Sequence, residues 1–127
     1  YSLYHEYMVY EDLDLLSRQT RGYILKSTTI AGSGHTSSAL SAVDLLTTLF
    51  FRYFHYDFKH PDNPCNDRFI LSKGHASPLL YSMLTSAGII TEKELLTLRK
   101  FGSRLEGHPI PGIPLVDAAT GSLGDAV

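Results

Sequence analysis

Only one short run in this chain, Arg68-Phe69-Ile70-Leu71, reads as a β-strand; most other apolar residues recur at helical spacing. A single strand cannot pair with itself, so its edges need a partner or stay open to water. Such a chain must pack its helices on one another, or on a partner chain, or complete its sheet with strands from elsewhere. From the residues alone the chain reads as locally helix-rich, with one clear strand at about 68–72.

Apolar residues at Leu13, Leu16, Tyr23 and Ile24 predict an amphipathic helix over about 13–30, weakened by Gly22 and the β-branched Thr28-Thr29-Ile30. A second helix is predicted to run to about Phe54, capped by Thr36, Ser37 or Ser38. Leu40, Val43, Leu46, Leu49 and Phe50 would form its buried face. Residues 55–66, with two prolines and little pattern, read as a connecting loop. The turn Ser72-Lys73-Gly74-His75 leads to a helix at about 76–87, with Pro78 tolerated in its first turn and Leu80, Met83, Leu84 and Ala87 facing inward. Thr91-Glu92-Lys93-Glu94 is a capping box that opens a helix to about Phe101. The remainder, with Pro109, Pro111 and Pro114, is irregular and leads to Thr120-Gly121.

Composition narrows the function classes. The 127 residues make about one domain, and a net charge of -2 gives no electrostatic case for nucleic acid or an anionic membrane. No apolar run approaches the roughly 20 residues that span a bilayer. Cys65 is the only cysteine, which excludes an internal disulfide and a thiolate metal cluster, and suits a reducing cytoplasm. Neither Cys65, between Pro64 and Asn66, nor any G-x-S-x-G pattern supports nucleophilic catalysis.

Three of the six histidines directly follow glycine in loop-like stretches: Gly34-His35, Gly74-His75 and Gly107-His108. Glycine lets the backbone approach a ligand closely, and the histidine then presents an imidazole to it. At Ser72-Lys73-Gly74-His75, a glycine turn between a strand and a helix presents backbone N–H groups and the positive end of the helix dipole, with Lys73 and His75 adding donors. A phosphate or diphosphate suits that turn; a plain helix start, with Lys73 in solvent, is the alternative. For His35 and His108 the alternative is a partly exposed, hydrogen-bonded imidazole. Zinc is disfavoured, because the histidines lie far apart and lack H-x₃₋₅-H spacing. His5, His55 and His60 read as surface residues. Thr120-Gly121-Ser122-Leu123-Gly124 could be a second backbone cradle, or an ordinary turn.

Taken in order, Ser33-Gly34-His35, Asp67-Arg68-Phe69-Ile70-Leu71-Ser72-Lys73-Gly74-His75-Ala76, Glu106-Gly107-His108-Pro109 and Ala119-Thr120-Gly121-Ser122-Leu123-Gly124 closely resemble the amino-terminal part of transketolases. The resemblance spans residues 13–124. The Ser-Lys-Gly-His-Ala form is more similar to transketolase than to 1-deoxyxylulose-phosphate synthase; the thiamine-dependent subunit of pyruvate dehydrogenase is a more distant option.

The resemblance implies an α/β thiamine-diphosphate-binding fold that acts as a homodimer with its cofactor between subunits. It implies transfer of a two-carbon ketol unit from a ketose phosphate to an aldose phosphate. His35 and His108 would contact substrate and assist proton transfers, His75 would touch the cofactor's diphosphate, and Gly121 and Leu123 would hold the cofactor. Transketolases normally continue after Gly124 with Gln-Gly and a long helix, whereas this chain reads Asp125-Ala126-Val127. An aspartate there opposes diphosphate binding unless it points away. The Mg²⁺ ligands and the glutamate that activates the thiamine ring are expected downstream of these residues. With Tyr1 at the start and Val127 after a ligand turn, the expectation is a fragment: a partial pyrophosphate-type domain at 1–127, inactive alone, completed by a longer chain or by a complementary carboxyl-terminal polypeptide.

Overall fold

The computed structural model describes residues 10–121, with side chains from Asp12 onward. Among the described residues five helices follow one another: α1 (Tyr10–Ala31), α2 (Thr36–Leu40), α3 (Val43–Thr48), α4 (Ser77–Ser86) and α5 (Glu92–Leu95). A π-helical turn, Leu49–Tyr53, extends α3, and a 3₁₀ turn, Gly74–Ala76, leads into α4.

Helix α4 is the centre of the molecule, and residues 77–85 are all buried. Leu79 and Met83, one helical turn apart, join Ile24, Ala39, Val43 and Leu46 in one apolar cluster. Leu80, Tyr81 and Leu84 lie in a second cluster with Ile90, Leu95, Leu98, Leu105, Ile113 and Leu115. Phe50, Phe69 and Leu71 touch both clusters and join them. The inward stripe expected of α4 is thus too narrow: Leu80, Met83 and Leu84 are buried, Ala87 is exposed, and every other residue before it but Ser86 is buried as well. A helix surrounded on all sides has no polar face to reveal its orientation.

Helix α1 lies where periodicity places it, but its buried face is mostly hydroxyl-bearing. Ser17, Thr20, Ser27 and Thr28 are buried beside Ile24, while Leu15, Leu25 and Ile30 are exposed. These hydroxyls are satisfied: Thr28 donates to the Ile24 carbonyl at 2.8 Å, and Thr20 and Ser86 share a 2.9 Å hydrogen bond between α1 and α4.

Two expected elements differ. The helix predicted to run to Phe54 breaks at Ser41-Ala42, where the Ser41 hydroxyl bonds the Ser38 carbonyl at 2.8 Å and competes with the helical ladder. No side chain caps α2; His35 precedes it, and Thr36 instead reaches back to Thr28 at 3.1 Å. Helix α5 starts where the capping box predicts, with Glu94 N–H bonded to Thr91 Oγ1 at 3.1 Å. Its reciprocal half is absent among the described residues, since the Glu94 carboxylate pairs with Arg104 at 2.6 Å, and α5 ends at Leu95 rather than near Phe101.

The expected strand at 68–72 is not formed among the described residues, which contain no β-strand. Its side chains still alternate, with Phe69 and Leu71 half-buried and Arg68, Ile70 and Ser72 exposed. The Ser72 N–H turns back on the Ile70 carbonyl at 3.0 Å. The strand pattern is present, but a ladder needs a second strand, and the described residues supply none.

Candidate functional site

Four loops meet at the amino-terminal end of α4. The first, Ser33-Gly34-His35, follows α1. Gly34 has φ 130, and a Cβ there would stand 3.0 Å from Thr28 Cγ2, so a side chain would be both strained and crowded. The second is the turn before α4, where Gly74 and Ala76 N–H groups bond the Ser72 and Lys73 carbonyls at 2.9 and 2.8 Å. With those two amides used locally, the side chains of Lys73 and His75 gain weight as donors from this turn. Lys73 lies 3.5 Å from Ser41 Oγ.

The third loop, Glu106-Gly107-His108, hangs on two hydroxyls of α4. Ser77 donates to the Gly107 carbonyl at 2.7 Å, and Tyr81 lies within 3.1 Å of the Glu106 carbonyl and 3.3 Å of the His108 carbonyl. Burial first, then the Glu106 carboxylate, pushes the Tyr81 hydroxyl far above its usual range, so it stays a donor. The fourth loop is fixed by Thr120, which donates to the Leu71 carbonyl at 2.6 Å. Its backbone passes so close to Gly74 that a Cβ there would stand 2.6 Å from Gly121 N. Gly121 itself, at φ 141, lies flat against the His108 ring, and a Cβ on it would collide with that ring.

These loops bring the three glycine-linked histidines into a row. The His35 and His75 ring centroids are 4.8 Å apart at 75°, and those of His75 and His108 are 4.7 Å apart at 89°. His75 is the middle member; His35 is exposed and the other two half-buried. Burial first, then the neighbouring His75, Arg99 and His35, hold the His108 imidazole below its usual range. Its Nε2 is buried and has no hydrogen-bond partner among the described residues. A neutral imidazole with an unpartnered ring nitrogen is a proton acceptor or donor awaiting a polar group.

Of the residues singled out in the sequence, His35, His75, His108 and Gly121 therefore converge. Leu123 and His5 lie outside the described residues. His55 and His60 are exposed, and His60 bonds Asp57 at 2.8 Å, away from the row. Ser77 and Tyr81 escaped the sequence reading, although their spacing of four places both on one face of a helix.

The family described as transketolase, thiamine diphosphate binding domain, matches residues 16–127. The chain belongs to that family. Transketolase from Homo sapiens is 50% identical over 103 residues, covering 81% of this chain and 16% of that protein. Transketolase from Leishmania mexicana superposes with a TM-score of 0.83 at 29% identity, covering 93% of this chain and 18% of that one. A Pichia stipitis transketolase, in complex with sedoheptulose-7-phosphate, superposes with a TM-score of 0.80 at 33% identity, over 89% of this chain and 17% of that one. The chain thus spans about one sixth of these relatives' length.

For this transketolase-family domain the group to test is thiamine diphosphate, and the residues present fit it. The unpartnered His108 Nε2 and the Lys73 and His75 donors of one turn are polar groups of the kind that cofactor needs, and the glycine-only approaches of Gly74 to Gly121 and of Gly121 to His108 hold their loops together.

Proposed function

We propose that this chain forms one wall of a transketolase active site, in which thiamine diphosphate serves transfer of a two-carbon ketol unit between sugar phosphates. The convergence of three Gly-His loops and Gly121 into one row, in a chain of this family, carries the reading. His75, with Lys73 in the same turn, binds the cofactor's diphosphate. Gly121 and Leu123 lie against the cofactor. When bound, thiamine diphosphate supplies the nucleophilic carbon, and the chemistry of carbon–carbon cleavage belongs to it.

His35 and His108 contact the sugar and move its protons. His108, neutral at pH 7 because its titration is depressed, accepts the proton of the donor sugar's hydroxyl as that carbon becomes the carbonyl of the departing aldose, and gives it to the carbonyl oxygen of the acceptor aldose when the new bond forms. Ser77 and Tyr81 keep its loop in place through the backbone. Mg²⁺ is held by residues downstream of these 127, and a homodimer or a complementary carboxyl-terminal polypeptide completes the site. The domain is the amino-terminal part of a pyrophosphate-type domain, in an α/β fold whose sheet takes residues 68–72 as a strand. The family's place in the pentose phosphate pathway and a cytoplasmic location belong to the same reading.

A graft tests it. This chain replaces the corresponding segment of Homo sapiens transketolase, and ketol transfer from fructose-6-phosphate is measured with thiamine diphosphate and Mg²⁺. Transfer by the folded graft is expected, and none from the 127 residues by themselves. Preference for pyruvate would favour a 2-oxo-acid dehydrogenase component instead. A folded graft that binds no cofactor would favour a non-catalytic module.

A further inference from the structure

Arg99 belongs to none of the motifs above, yet it touches two of the loops. Its φ is 59, a left-handed conformation that a residue with a Cβ adopts at a cost. Its N–H donates to the Leu105 carbonyl at 2.8 Å, which closes the loop after α5. The guanidinium then lies over Gly107, where an added Cβ would stand 2.7 Å from Arg99 Cζ and Nε. Nη1 reaches Ser33 Oγ at 3.4 Å. One side chain thus contacts the residue immediately before His108 and the residue two before His35. Among the described residues Arg99 makes no ion pair with a carboxylate.

We propose that Arg99 is a positioning residue of this site: its guanidinium clamps Gly107-His108 to Ser33-Gly34-His35 and sets the electrostatic surroundings in which His108 works. The proposal takes its ligand from the transketolase reading, but the clamp itself exists without ligand. A planar fork suits the role better than an ammonium, because it can lie flat on a glycine while its edge donates elsewhere. The charged and titratable groups around His108 are His75 from the turn before α4, His35 from the loop after α1, Arg99 from beyond α5, and Glu106 and Tyr81 beside its own loop. Of these, Arg99 is the one fixed cation. It disfavours a second positive charge on His108, and its removal must ease protonation there.

The test uses the purified protein with histidines ¹³C-labelled at Cε1, titrated by NMR without ligand, alongside amide hydrogen exchange. In Arg99→Gln the His108 midpoint is expected to rise by about half a pH unit, with the midpoints of His55 and His60 unmoved. In Arg99→Lys, which keeps the charge and loses the fork, the His108 midpoint should stay near wild type while Gly107 and His108 amides exchange several-fold faster. An unchanged His108 midpoint in folded Arg99→Gln overturns the electrostatic half; unchanged exchange in Arg99→Lys overturns the clamp. Should Arg99→Gln fail to fold, Arg99→Lys still decides the clamp by exchange, and Arg99→Met, which keeps an unbranched stem without the charge, takes its place for the His108 midpoint. Thiamine diphosphate with Mg²⁺ added afterwards reports on the functional reading separately, so loss of one is not mistaken for loss of the other.

Discussion

Gly121 and His108 show how closely single residues are fitted here. A methyl group on Gly121 has no space before the His108 ring, and its φ of 141 is one that side chains avoid. Gly121→Ala is therefore expected to cost about 1–3 kcal/mol of stability, read as a lower melting temperature, and to weaken cofactor binding in the graft at least tenfold. Gly22→Ala is the contrasting case. Nothing lies within 4 Å of a Cβ there, and Gly22 sits inside α1, so stability should rise by about 0.5–1 kcal/mol. Protonation of His108 gives a pH dependence of known sign. Its folded titration lies below the ordinary 6.5, so the unfolded chain takes up the proton first. The contribution is fully present above pH 6.5 and is lost as pH falls through the folded midpoint. Denaturant midpoints measured from pH 7.5 to 5 should fall, and the His108→Gln variant should fall less steeply. The histidines were legible in the sequence because imidazole carries chemistry and glycine marks close approach. That Gly121 exists to admit the His108 ring was not, because the contact joins residues remote in sequence.

Elements were legible in their existence more than in their limits. The Thr91 cap marks the start of α5 from sequence alone, and Thr91→Ala should cost about 1 kcal/mol, measured by urea unfolding. Where α5 ends is set by the turn that follows it, in which the Thr97 and Leu98 N–H groups bond carbonyls three residues back and the Arg99 N–H finds the Leu105 carbonyl. The break between α2 and α3 was likewise hidden, since Ser41 competes with a helical pattern that continues through it. Helix α4 does more than fill the core, because its polar residues Ser77 and Tyr81 face the His108 loop. Tyr81→Phe retains the ring in the core and removes the hydroxyl from two carbonyls. It should lower stability by about 1–2 kcal/mol and speed amide exchange at His108, with the helix intact by circular dichroism.

At the scale of the whole molecule, α4 organises everything: two apolar clusters on its flanks and four loops at its amino-terminal end. The strand pattern at 68–72 was legible as alternation, and the described residues keep the alternation without the ladder. Sheet pairing is a property of two segments, so one segment can announce only half of it. The family relationship was legible for the opposite reason, since four ordered motifs fix it without any long-range contact being known. The central claim is that the row His35-His75-His108 is an active-site wall and the remaining histidines are not. Its most direct test is ketol transfer by the graft with each histidine changed to alanine in turn. His35→Ala and His108→Ala should each lower kcat/KM by about 100-fold or more, and His75→Ala should raise the thiamine diphosphate requirement, while His55→Ala and His60→Ala stay within about twofold of the parent. Full activity in folded variants of all three row members, or a loss confined to His55 or His60, would contradict it.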